Sequence, residues 1–296
     1  MKIRHLLASG RPSFSFEFFP PKSEAARANL VEAILALGGL EPTYVSVTYG
    51  AMGATRDLTV ELVAEIKREH GIEAMAHLTC VGSSREELRR ILGRLAENGI
   101  ENVLPLRGDP PRGETQFTPA ADGFRWANEL AAFIGGSWDF CLAGACYPEK
   151  HPECSTFEED LSNLKRKVDS GVDFLITQLF FDNRHYFDFL ARARAAGIGV
   201  PIIPGIMPIT NVEQIQRITG MCGATLPEAL CAELERYRSQ PDAVLALGAA
   251  HATAQCLELL EKGAPGIHFY TLNKSAATRM ILTAIRAVWP PARTPA

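Results

Sequence analysis

The chain has 296 residues and a formal net charge of −4, with 47% hydrophobic and 22% charged residues, the balance of a globular protein able to bury a large core. Its lysines and arginines are scattered, so no basic stripe serves a phosphate backbone and no nucleic-acid partner is expected. The opening MKIRHLLASGRPSFSF holds too short an apolar run for a secretory signal, no stretch is expected to approach the roughly 18 or more apolar residues of a membrane span, and the seven cysteines are an odd number, which favours reduced thiols in a cytosol.

Short β-rich runs then alternate with helix-length amphipathic stretches. Strands are expected at FSFEFF (14–19), YVSVTYG (44–50), EAMAHLTC (73–80), NVLPLRGD (102–109), FCLAGACY (140–147), FLITQLFF (174–181), PIIPGIMP (201–208) and GIHFYTL (266–272). The helical stretches between them include TRDLTVELVAEIKREHG and SREELRRILGRLAENG, each stopped by glycine. Strand followed by helix, repeated throughout, implies parallel pairing with right-handed crossovers. The simplest such arrangement is a closed α/β barrel, a (β/α)8 TIM barrel, formed as one domain over 1–296 with extra helices at 225–262 between strands seven and eight. A doubly wound dinucleotide fold would need G-x-G-x-x-G after its first strand; Gly197 and Gly199 precede a strand and lack the third glycine.

Barrel enzymes assemble their sites at the carboxyl ends of the strands. Six different runs place Glu17, Thr48, His77, Asp109, Tyr147 and Gln178 there. Glu17 is expected to be hemmed in by the four phenylalanines around it. A buried carboxylate costs several kcal/mol unless paired or neutralised, so Glu17 is expected to be paired or protonated. Cys141, Cys146, His151 and Cys154 resemble a metal set, but Cys141 and Cys146 are an odd number of residues apart on one strand and point to opposite faces, so no metal is expected. The stretch TFEEDLSNLKRKVDSG opens with a capping pattern, Thr156 and Glu159, and carries a polar stripe of Asp160, Asn163 and Lys167 with Arg166 beside it. Patterning alone reads that stripe as a solvated face.

Nine phrases in order are more specific than periodicity: FEFFPPK, VSVTYGA, HLTC, LRGDPP, YPEKHPE, NLKRKVDSG, ITQLFFD, IPGIMPI and HFYTLNK. Together they resemble the 5,10-methylenetetrahydrofolate reductases over nearly the whole chain. The resemblance implies a cytoplasmic, homo-oligomeric barrel holding FAD without a Rossmann fingerprint. NADH or NADPH would reduce the flavin and leave, and methylenetetrahydrofolate would then be reduced to methyltetrahydrofolate, a source of methyl groups for methionine. It implies a general acid at Glu17, with Asp109 acting on the flavin or the pterin. Flavin contacts fall on Thr48, Tyr49, Ala51, His77, Arg107, Gly108, Asp109, Tyr147, His151, Asp160, Asn163, Arg166 and Lys167, and folate contacts on Glu17, Asp109, Gln178, Gln214 and Lys274. Lys274 stands where some relatives have arginine, and Ile218 where some have phenylalanine; no appended regulatory domain is expected. The competing expectations are a non-redox folate-binding barrel, which has no use for Arg166 and Lys167, and an inactive scaffold, which has none for Glu17 and Asp109.

Overall fold

The computed structural model describes residues 1–49, 56–110 and 117–289. In chain order the strands are β1 (Ser13–Phe18), β2 (Tyr44–Val47), β3 (Ala74–Thr79), β4 (Asn102–Leu106), β5 (Cys141–Cys146), β6 (Phe174–Thr177), β7 (Ile202–Ile203), β8 (Gly205–Ile206) and β9 (Gly266–Tyr270). All pairs are parallel, in the order β7-β6-β5-β4-β3-β2-β1-β9-β8. β7 and β8 are the two halves of the expected seventh strand, divided at Pro204, whose missing N–H interrupts the ladder. β7 continues from β6, and β8 pairs with β9, so the sheet closes on itself as an eight-stranded barrel. The His268 amide donates to the Pro204 carbonyl at 2.9 Å, and the Gly205 amide to Thr177 Oγ1 at 2.9 Å. Residue 205 must be glycine, because a Cβ there would lie 2.4 Å from the Thr177 carbonyl oxygen and 2.6 Å from Tyr270 Cε2.

Strand alternation separates two interiors. Phe16, Phe18, Val45, Val47, Leu78 and Phe269 turn outward to a continuous core against the surrounding helices. Tyr44, Met75, Leu104, Cys141, Phe174 and Ile203 turn inward and fill the lower lumen. The short helix α1 (Ile3–Leu7) plugs the amino end of the barrel, with Ile3 joining the lumen cluster and its amide donating to Asn102 Oδ1 at 2.8 Å. Cys141 and Cys146 do lie on opposite faces, the first in the lumen and the second in the outer core.

The outer helices are α2 (Glu24–Gly38), α3 (Arg56–His70), α4 (Arg85–Glu97), α5 (Ala127–Gly135), α6 (Phe157–Asp169) and α7 (Asn183–Ala195), followed by α8 (Val212–Cys222), α9 (Glu228–Arg236), α10 (Pro241–Glu261) and α11 (Ala276–Val288). Thr156 caps α6 with its hydroxyl, as the sequence pattern predicts, and Ser84 caps α4 in the same way. α8, α9 and α10 occupy the interval between the seventh strand and β9, which places the additional helices where expected. α8, α9 and the start of α10 pack on a separate apolar cluster that includes Leu179, Phe181, Ile209, Ile215, Leu234 and Val244, while Ala249, Ala252, Cys256 and Leu259 of α10 join the main core. α10 is long and apolar enough by composition to cross a membrane, with a mean hydropathy of 1.4. It is nonetheless interrupted by Asp242, His251, Gln255 and Glu258, and buries Val244, Ala252, Cys256 and Leu259 against the protein.

Several hydrogen-bonded strands stop before the β-rich runs do. Thr48, Tyr49, Arg107, Gly108, Asp109, Tyr147 and Gln178 therefore stand just past strand ends, at the carboxyl mouth, rather than within strands.

Candidate active site at the carboxyl ends of the strands

Glu17 reaches into the lumen near its carboxyl end, with its side chain 9% exposed. Its Oε2 lies 3.5 Å from His77 Nε2 and 3.6 Å from His268 Nε2. The phenylalanines around it in sequence do not surround it in space. Phe16 and Phe18 point to the outer core by alternation, Phe14 packs against the same core, and Phe19 is surface-exposed. The acid faces two imidazoles at 3.5 Å and 3.6 Å instead of being enclosed by phenylalanine rings. One layer below, Ser15 Oγ and His268 Nδ1 are 2.8 Å apart, which fixes the ring with Nε2 toward Glu17. The Glu17 carbonyl accepts from Thr271 Oγ1 at 2.6 Å. Asn273 bonds both ways with the Phe19 backbone, at 2.8 Å and 2.9 Å, so the loop after β9 is tied to the end of β1.

This lumen contains more polar groups than it satisfies. His77 Nε2, His268 Nε2, Ser46 Oγ and Thr79 Oγ1 are buried without a hydrogen-bond partner among the described residues. Buried polar atoms are nearly always bonded, so such a group marks a place for a polar ligand. Burial pushes the His77 pKa down to about 4 from 6.5, against the opposing pull of the Glu17 carboxylate. His77 is therefore a neutral imidazole at neutral pH.

That shift has a sign that can be checked. Above pH 6.5 neither the folded nor the unfolded chain protonates this ring; between 6.5 and 4 only the unfolded chain does. Folding stability is thus fully present above pH 6.5 and falls by about 3 kcal/mol as the pH drops through that window. Urea denaturation at pH 7.0, 5.5 and 4.5 should show a shallower decline for His77→Gln, and equal slopes in the two proteins would remove His77 as the cause.

A second cluster forms where β4 and β5 end. Gly108 has φ +85°, and a Cβ there would lie 2.8 Å from Val81 Cγ1, so the Arg107-Gly108-Asp109 turn depends on glycine. Asp109 is exposed, and its charge bears on Arg107 and Tyr147. Arg107 stacks over Phe117 at 5.5 Å and makes a two-pronged pair with Glu153, its Nη2 donating to Oε1 at 2.7 Å. Tyr147 meets His151 edge to face at 4.5 Å, and burial raises the Tyr147 pKa and lowers that of His151. Asp160 Oδ2 accepts the His151 amide at 3.0 Å, Cys154 Sγ lies 3.7 Å from Asp160 Oδ1 and 3.6 Å from Asn163 Nδ2, and Arg166 donates to Asn163 Oδ1. Lys167 is half-buried along its stem, but its ammonium turns inward to the Ala145 carbonyl at 2.7 Å, and burial of that end lowers its pKa. The α6 stripe is therefore the wall of a polar cluster, not a solvated face.

The remaining sequence candidates are dispersed. The Thr48 amide donates to the Phe18 carbonyl at 2.9 Å, and Tyr49 packs on the outer core. Ala51 lies outside the described residues. Gln178 accepts from the Leu179 amide at 2.9 Å and lines a cleft of about 170 Å³ with Tyr147, Glu149, Lys150, Cys222 and Ala224. Gln214, half-buried in the first turn of α8, has its amide capped by Asn211 at 2.7 Å. Lys274 is exposed on the rim of a second cavity, about 240 Å³, with Thr210, Tyr270 and Thr278. No side-chain cap closes the amino end of α11 beside it. Gln178, Gln214 and Lys274 make no hydrogen bond to one another.

Sequence reasoning missed Ser15, Ser46, Thr79 and His268 in the lumen, and Glu153 and Cys154 in the second cluster. His268 stood in the HFYTLNK phrase, but nothing local tells that it faces Ser15 across the β1–β9 register. Among the described residues no three His, Cys, Asp or Glu side chains converge as metal ligands.

Comparison with known proteins identifies the family. The family model described as methylenetetrahydrofolate reductase matches residues 2–286. The chain belongs to that family. It is 39% identical over 267 residues to the 5,10-methylenetetrahydrofolate reductase of Pectobacterium carotovorum subsp. carotovorum, covering 90% of this chain and 87% of that protein. It is also 39% identical over 283 residues to methylenetetrahydrofolate reductase (NADH) 1 of Arabidopsis thaliana, covering 92% of this chain but 48% of the plant protein. The chain thus spans about half the length of the plant relatives it matches. In fold it resembles a Clostridium thermocellum protein that binds two copies of 5-methyl-5,6,7,8-tetrahydrofolic acid, with TM-score 0.64, 16% identity, and coverage of 97% of this chain and 99% of that one. At that identity the likeness speaks for the barrel alone.

Proposed function

We propose that this family member reduces 5,10-methylenetetrahydrofolate to 5-methyltetrahydrofolate with NADH or NADPH, using FAD, in two half-reactions at one site. The observation that carries the reading is Glu17, a buried carboxylate facing unpartnered imidazole and hydroxyl groups at the catalytic end of the barrel. Proteins of this family supply the reaction class; the lumen supplies an acid where that reaction needs one.

The residues present fit a flavin dinucleotide. The second cluster offers a buried ammonium on Lys167, a guanidinium on Arg166, amide and carboxylate groups on Asn163 and Asp160, and a glycine turn allowing close approach at Gly108. Arg166 and Lys167 suit the diphosphate. Tyr147 and His151 form the wall beside it, and the unpartnered His77 Nε2 can bond the polar edge of a ring system. Asp109 lies with this cluster, which favours its action on the flavin side. When bound, the flavin provides hydride exchange between the nicotinamide and the folate.

The protein's own work on the folate follows from the substrate. Its bridging carbon lies between two nitrogens, and opening one C–N bond requires a proton on the departing nitrogen. Glu17 is suited to hold and deliver that proton. Gln178 can bond the amino-pyrimidine edge, and Lys274, beside the uncapped end of α11, suits the carboxylates of the glutamate tail as a point charge. All seven cysteines are free thiols, which supports a reducing, cytosolic setting.

The visible spectrum of the FAD-loaded protein tests this reading. The flavin band should bleach with NADH under anaerobic conditions and return when methylenetetrahydrofolate is added. A protein that stays colourless with FAD overturns it in favour of a non-redox folate barrel. Lys167→Ala should weaken FAD binding about tenfold or more, the scale of one lost charge-assisted contact. Unchanged FAD affinity in a fluorescence titration would return the α6 stripe to a structural role.

A further inference from the structure

The loop between β5 and α6, residues 147–156, is tied to itself. The Lys150 amide donates to the Tyr147 carbonyl at 3.2 Å, the Cys154 amide to the His151 carbonyl at 3.0 Å, and the Glu153 amide to His151 Nδ1 at 3.1 Å. From this platform Glu149 projects away from the second cluster, its side chain 11% exposed. Its carboxylate accepts the Thr225 amide at 3.2 Å and 3.1 Å and the Thr225 hydroxyl at 2.5 Å. His185 of α7 approaches the same group, with Nε2 3.5 Å from Glu149 Oε2 and 3.3 Å from Thr225 Oγ1. Thr225 lies three residues past Cys222, where α8 ends on the left-handed Gly223.

We propose that Glu149 is a positioning residue that fixes the carboxyl end of α8 against the loop carrying Tyr147 and His151, and through it the place of Gln214. The role of Gln214 in holding substrate rests on the function proposed above; the latch itself rests on the geometry. Apolar packing meets this junction only at its edge, where Ile218, Cys222 and Ala224 lie partly buried on the separate cluster and Gly223 faces Pro152 of the loop. α8 buries Val212 and Ile215 in the separate cluster of the added helices, not in the main core. Between α8 and the loop lies the small cleft beside Gln178, lined by Tyr147, Lys150, Cys222 and Ala224. Across that gap the charged hydrogen bonds of Glu149 join the two sides. Bonds to an ionised acceptor are short-ranged and directional, so they set a distance that loose apolar contact would not.

The test compares the FAD-loaded wild type with Glu149→Gln, Thr225→Val and Thr225→Ser. Amide exchange should accelerate about tenfold in residues 221–227 of Glu149→Gln and in Thr225→Val, the scale of a lost bond to a charged group. Thr225→Ser, which keeps the hydroxyl, should exchange as wild type. FAD affinity should stay within about twofold, while KM for methylenetetrahydrofolate rises about fivefold to tenfold at nearly unchanged kcat, as expected when binding geometry rather than chemistry is disturbed. Faster exchange with an unchanged KM overturns the positioning role and leaves a loop brace; unchanged exchange overturns the latch. If Glu149→Gln exchanges everywhere, having lost its fold, Thr225→Val decides by the same two readouts. A wild type that shows no folate turnover would count against the proposed function, and the exchange pattern would still decide the latch.

Discussion

Glu17→Gln is expected to keep FAD binding and bleaching by NADH, while the folate half-reaction slows by about 10²–10⁴-fold, the usual contribution of a general acid. Gln has nearly the same shape, so the lumen keeps its packing, but an amide has no acidic proton to give. The substitution should also leave stability close to wild type. Removing one member of a buried ion pair is severe because it strands the other charge. Here the neighbour His77 is neutral, its pKa pushed down to about 4 by burial, so the variant strands no charge on that ring. Anaerobic stopped-flow separates the two half-reactions. A folate step at near wild-type rate in the variant would mean that the proton comes from elsewhere, and His268, 3.6 Å from Glu17, would become the next candidate.

Gly205→Ala is expected to destabilise the joint between β8 and β6 strongly. The added Cβ would sit 2.4 Å from the Thr177 carbonyl oxygen, 2.6 Å from Tyr270 Cε2 and 2.9 Å from the Tyr270 hydroxyl oxygen. Tyr270 has little freedom to retreat, because its hydroxyl donates to that same Thr177 carbonyl at 2.6 Å. The clash therefore falls on backbone, where overpacking costs about 3 kcal/mol or more. At roughly 2 °C per kcal/mol for a domain this large, the melting temperature should fall by about 6 °C. Gly199→Ala is the matched control, since a Cβ there meets nothing within 4 Å. If both variants melt with the wild type, the joint between β8 and β6 is looser than its geometry.

Much of this architecture was legible in residue patterns. The alternation of Phe14, Phe16 and Phe18 against Ser15 and Glu17 already assigns them to opposite faces, because successive strand side chains must point apart. Cys141 and Cys146 were separated by the same rule, and Thr156 marked a helix start through its hydroxyl. The polar residues at run ends were likewise visible, although the runs overstate the strands. The halving of the seventh strand was less visible. Pro204 shows that one amide is missing, but not that its flanks would pair with different neighbours.

The sequence by itself determined which residues form strands and helices, which strand side chains look inward, and which family the phrases resemble, because these depend on local periodicity and residue identity. Only the tertiary structure decided who meets whom. Ser15 and His268 are 253 residues apart yet bonded at 2.8 Å, since barrel closure sets the register of β1 against β9. Glu17 sits between imidazoles rather than phenylalanines for the same reason: alternation names the face, and closure supplies the neighbours across it. Arg107 takes Glu153, and Glu149 takes Thr225, because the β5–α6 loop folds back over the mouth. A charge in a sequence has many possible partners, and desolvation and distance select one only after the chain has closed.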